Sequence, residues 1–131
     1  MVTNTATDTI DIIFTDHSPV VAVAVPDQVF YKGQGATAIT SSSITDSTTL
    51  AFTLATAVTT AEYTTLTIDA TTGNPITIGM ASNYTGTATM TITATDTQGF
   101  TATDVFDVLV LECPQDNCDT CTSGTDGDCI G

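Results

Sequence analysis

Along most of this chain apolar and polar residues alternate with a period of two. Ala88, Met90, Ile92 and Ala94 interleave with Thr87, Thr89, Thr91, Thr93 and Thr95. That pattern gives a strand one apolar face and one threonine face, as in a half-buried antiparallel sheet. Leu50, Phe52 and Leu54 alternate with Ala51, Thr53 and Ala55. Leu66 and Ile68 make a further strand, ended by the turn-rich run Asp69-Ala70-Thr71-Thr72-Gly73-Asn74-Pro75, and Ile76 and Ile78 resume. Asp96-Thr97-Gln98-Gly99 turns the chain into residues 100–111, where Phe106, Val108 and Val110 share a face. The apolar run 20–25, closed by Pro26, opens the domain as an edge strand. No spacing of three and four persists over two turns. About seven short strands separated by turns predict an all-β, immunoglobulin-like or cadherin-like antiparallel sandwich.

One strand is surplus to that plan. Residues 5–14 read Thr-Ala-Thr-Asp-Thr-Ile-Asp-Ile-Ile-Phe, and residues 101–110 read Thr-Ala-Thr-Asp-Val-Phe-Asp-Val-Leu-Val. Five of the ten positions are identical. Ile10, Ile12 and Phe14 thus match Phe106, Val108 and Val110, and Ile13 adds a fourth apolar side chain. A lone strand can neither bury such residues nor pair its backbone. Three placements resolve this. Segment 1–16 is the last strand of a preceding domain in a tandem array, or it adds to the sheet of a neighbouring copy as a donor strand, or it packs as an extra edge strand on its own domain. The short link Thr15-Asp16-His17-Ser18-Pro19 argues against the third. Donor-strand contact is head to tail and does not close, so it propagates.

Composition narrows the partners. The chain has 131 residues, 15 acidic side chains, a single basic one in Lys32, and a formal net charge of −14. Charged residues are 12% of the chain, about half the usual ~25%, and 32 threonines take their place. Nucleic acid and anionic membrane surfaces require basic side chains that are missing here. Membrane insertion is not expected either, because the longest apolar run, 20–25, is far short of the ~20 residues a bilayer needs.

All four cysteines, Cys113, Cys118, Cys121 and Cys129, lie in the last 19 residues. An even count in a short Asp-, Gly- and Thr-rich segment predicts a disulfide-stapled tail. A zinc site at Cys118-x-x-Cys121 is the competing reading, and the basic residues that balance thiolates are not nearby. Sequence leaves all three disulfide pairings open. The expected division is a strand at 1–16, a sandwich at 17–112 and a cysteine-rich tail at 113–131.

Two stretches carry resemblances. Val25-Pro26-Asp27-Gln28-Val29, then Leu66-Thr67-Ile68-Asp69-Ala70-Thr71-Thr72-Gly73, then residues 90–99 resemble, in order, the opening, middle and penultimate strand of dystroglycan-type cadherin-like domains. The match covers about residues 19–111 and implies a cadherin-like sandwich of secreted or cell-surface proteins. Cys113-Pro114, Cys118-Asp119-Thr120-Cys121-Thr122-Ser123-Gly124 and Cys129 are similar to the start of a furin-like cysteine-rich repeat.

The cadherin likeness brings calcium into question, with Asp16, Asp27 and Asp96 as candidate ligands at one end of the sandwich. Solvated or turn-capping aspartates are the preferred reading, so no cofactor is expected. Asn83-Tyr84-Thr85 is a glycosylation sequon, a place for carbohydrate on a secreted chain. Nucleophile chemistry lacks a base, since the one histidine, His17, sits in the link. The scattered acids lack a sugar platform and there is no Trp. The reading is a non-enzymatic extracellular structural subunit. It assembles head to tail, with other copies of itself or with tandem domains, through Ile10, Ile12, Ile13 and Phe14 into a filament or a surface stalk. A calcium-dependent adhesion module is the alternative.

Overall fold

The computed structural model describes residues 2–13, 15, 17–114, 118, 121 and 129. Among them it forms strands β1 (Val20–Val23), β2 (Gln28–Tyr31), β3 (Thr37–Ile39), β4 (Ser43–Thr45), β5 (Ala51–Thr56), β6 (Tyr63–Ile68), β7 (Ile76–Met80), β8 (Gly86–Thr95) and β9 (Thr101–Leu111). The alternation drives these elements. Ala88, Met90, Ile92 and Ala94 of β8 are fully buried, as are Ile76 and Ile78 of β7 and Val108 of β9. Each large apolar side chain so buried contributes ~1.5–3 kcal/mol. The threonines between them are half-buried because neighbours on both sides flank them, as the exposed Thr53 and Thr103 flank Thr93.

Strand order defines the architecture. One sheet runs β2-β9-β8-β5; the opposite layer comprises β3-β7-β6 together with the pair β1-β4. Because β3 and β4 follow each other along one run, that layer reads as A-B-E-D in immunoglobulin lettering, and the first sheet as A′-G-F-C. This is the order of an immunoglobulin-like sandwich. Nine segments fill the seven strand positions of this fold because its A and B strands are each interrupted, at residues 24–27 and 40–42.

The structure corrects one feature of the expected sandwich: it is not wholly antiparallel. β2 runs parallel to β9, with Gln28 opposite Val108 and Tyr31 opposite Leu111. The cause is the first interruption. After β1 pairs with β4, the chain crosses between layers at Val25-Pro26-Asp27 and continues in the same direction, so it meets β9 in parallel. Val25 is buried in the core at this crossing.

That path places the two ends of the sandwich body far apart. The link before β1 enters near the β8–β9 turn, and β9 delivers the tail at the other end, some 36 Å away for an 11-residue strand. There Lys32 fastens the tail. Its N–H donates to the Leu111 carbonyl at 2.9 Å, its own carbonyl accepts the Cys121 N–H at 3.1 Å, and its ammonium pairs with Glu112 at 3.3 Å. The cysteines form two disulfides, Cys113–Cys121 and Cys118–Cys129, which selects one of the three pairings and removes the thiolates a zinc site needs.

Candidate assembly site

Among the described residues the N-terminal segment forms no strand with its own sandwich. Residues 2–13 are exposed and outside every sheet, so they do not pack as an extra edge strand on the same domain. Ile10, Ile12 and Ile13 are 79%, 72% and 84% exposed; the fourth anchor, Phe14, lies outside the described residues. Three isoleucines this exposed in one short stretch form an apolar surface that association would cover.

The repeat in β9 shows how such a sequence sits when it is part of a sandwich. Phe106, Val108 and Val110 point into the core, at 2% exposure or less. Leu109, the counterpart of Ile13, faces outward at 38%. The anchors therefore divide: Ile10, Ile12 and Phe14 match an inward register, and Ile13 matches an outward one.

Two aspartates of β9 hold the crossing segment. Asp104 is 6% exposed, and its Oδ2 accepts the Val25 N–H at 2.8 Å. Asp107 donates its backbone N–H to Asp27 Oδ1 at 2.8 Å, while its carboxylate accepts the Thr89 hydroxyl at 2.7 Å. Sequence reading passed over Asp104. Its signal was nonetheless present: an aspartate in register with buried apolar residues, which needs a donor opposite it.

Two of the proposed calcium ligands, Asp27 and Asp96, do not converge. Asp27 lies beside residue 107 of β9, whereas Asp96 caps the turn where Thr95 meets Thr101. Six residues of strand, about 20 Å, separate them. The parallel course of β2 is what carries Asp27 away. Asp96 is buried, and its Oδ1 accepts the N–H groups of Gln98 and Phe100, both at 2.9 Å, which is the turn-capping role. Asp16 lies outside the described residues. Among the described residues no three His, Cys, Asp or Glu side chains are grouped to hold a metal, and no helix is long and apolar enough to cross a membrane.

Asn83 is exposed in the connection between β7 and β8. Beside it, burial and secondarily the Glu62 charge hold the Tyr84 phenol above its ordinary pKa. Two other carboxylates titrate low. Hydrogen bonds from the Thr48 hydroxyl and N–H do this for Asp46, and the N–H groups of Thr72 and Thr71 do it for Asp69. Both are turn residues and stabilise loops.

No family model matches the chain, and no curated protein matches it. Among solved structures it is similar to a chimeric titin Z1Z2 functionalized with a KLER exogenous peptide from decorin. The TM-score is 0.49 and the identity 14%, over 76% of this chain and 99% of that one. The immunoglobulin-like assignment rests on strand order. Two disulfides in so short a tail are the chemistry of an oxidising compartment.

Proposed function

We propose that this chain is a non-enzymatic structural module of an extracellular or cell-surface assembly, of the dystroglycan-type cadherin-like kind. It joins end to end with neighbouring sandwiches through its N-terminal strand, as a filament or a tandem stalk. The observation that carries the reading is that residues 5–13 copy an inner strand of the sandwich yet stand exposed and unpaired by their own domain. The opposite placement of the link and the tail supports it, because a body entered at one end and left at the other stacks in line. The cysteine-rich tail, similar to a furin-like repeat, is joined to this end of the body by the Lys32 clasp.

Electron microscopy and sedimentation of the concentrated chain test the filament form. Ile12→Asp places a charge in the apolar register and is expected to abolish polymer while leaving the melting of the sandwich unchanged. Polymer that persists in Ile12→Asp overturns assembly through this strand. A wild-type chain that stays monomeric restricts the reading to the tandem form.

A further inference from the structure

We infer that Asp8 is the recognition residue of the N-terminal strand, and that its partner is a second sandwich of this same type that lacks its own last strand. The inference rests on the tandem form of the end-to-end reading above and names the surface that receives the strand.

The apolar anchors alone do not choose a partner. Ile10, Ile12 and Phe14 suit any sheet with an open edge and an apolar face. Asp8 does choose. The repeat aligns it with Asp104, on the same face as the inward-pointing positions 106, 108 and 110. A carboxylate in that register is carried into the core with its neighbours and is tolerated only where a donor meets it. In this sandwich the donor is the Val25 N–H, 2.8 Å from Asp104 Oδ2. It is available because Val25 sits in the interlayer crossing, where β1 has ended and β2 has not begun.

A second contact repeats the pattern. Asp11 aligns with Asp107, whose N–H donates to Asp27 and whose carboxylate accepts from Thr89. The copied strand therefore keeps the carboxylate that reads the crossing and, three residues on, the one that accepts from a β8 hydroxyl, while the bond to Asp27 needs only a backbone N–H. Ordinary edge addition offers no such crossing and leaves Asp8 in water. A complete copy of this chain already fills the position with its own β9. The fitting acceptor is a body with an A-to-A′ crossing, a β8-like neighbour and an empty last-strand position, which segment 5–14 completes.

The test is residues 5–131 extended at the N-terminus by a copy of residues 17–100, joined directly to residue 5. In this tandem, segment 5–14 stands where 101–110 would follow. Two folded bodies are expected, with the Val25 amide of the added copy protected from hydrogen exchange as strongly as its counterpart in the second. Asp8→Ala is expected to lower that protection at least tenfold in the added body alone, as the loss of a hydrogen bond to a charged acceptor requires. The order of side-chain sizes differs between the two strands, so a tandem also carrying Ile10→Phe and Phe14→Val gives the Asp8 comparison in a matched core. An added body unfolded in both tandems, or folded equally well with Asp8→Ala, overturns the inference. None of these readouts involves polymer, so loss of the filament form and loss of this inference are separate results.

Discussion

The Asp104 carboxylate accepts the backbone N–H of Val25 at 2.8 Å, joining residues 79 positions apart. Asp104 is buried in the last strand, and Val25 lies in the crossing that takes the chain from one layer to the other. The bond thereby ties the first strand pair to the last strand.

Removing the acceptor is expected to be costly. Asp104→Ala leaves the Val25 N–H buried without a partner and is expected to destabilise the sandwich by about 1.5–3 kcal/mol, the range for hydrogen bonds to charged groups. Asp104→Asn keeps an oxygen in place and should lose less. Urea unfolding of the three proteins measures both, and a loss below about 0.5 kcal/mol for Asp104→Ala would contradict this role.

Gly73 is held by backbone and by space together. Its φ is +72°, and a Cβ there would lie 2.8 Å from the Phe52 ring. Gly73→Ala is expected to cost about 1–3 kcal/mol through the left-handed backbone, with an added penalty from the displaced ring. Gly99→Ala, at φ +95° with open space around it, should show only the backbone part. Parallel thermal melts separate the two contributions.

Acid should weaken the fold through its turn aspartates. Asp46 and Asp69 bind protons less readily folded than unfolded, so the unfolded chain takes up more protons in acid. Their stabilisation is fully present above the ordinary carboxylate pKa of 3.8 and is lost as pH falls through their lower folded values. Melting midpoints measured from pH 5 downward should decline, and Asp69→Asn should flatten the decline. Coincident profiles for the two proteins would contradict the assignment.

Reduction is expected to release the tail and spare the sandwich. The disulfides close separations of only 8 and 11 residues, all after β9, and none spans the core. Dithiothreitol should therefore increase amide exchange at Cys121 and leave β7, β8 and β9 protected. A concerted loss of protection in those strands would show that the tail supports the body.

Much of the sandwich was legible in the alternation itself. Ala88, Met90, Ile92, Ala94, Ile76, Ile78, Phe106, Val108 and Val110 are the apolar positions of the alternation and are buried, because a half-buried strand writes its pleat into the sequence at period two. β2, β3 and β4 were not foreseen. They are three or four residues long, too short for alternation to rise above chance; β2 and β3 form on the edges of the longer β9 and β7, and β4 pairs with the equally short β1. The assembly segment is visible as a repeat, and period two already sets Ile10, Ile12 and Phe14 on one face; β9 adds that its matching positions are buried while Leu109, the counterpart of Ile13, faces outward.

Sequence by itself determined the elements that carry their own pattern: the strong strands, the turn residues between them, the oxidised cysteine tail and the copied strand. Tertiary structure decided everything that depends on distant segments meeting. It set β2 parallel to β9, separated Asp27 from Asp96, chose the pairing of the cysteines, and placed the Val25 N–H against Asp104. Local preference depends on neighbours in the chain, whereas a buried hydrogen bond or a strand register is selected by the whole core packing at once.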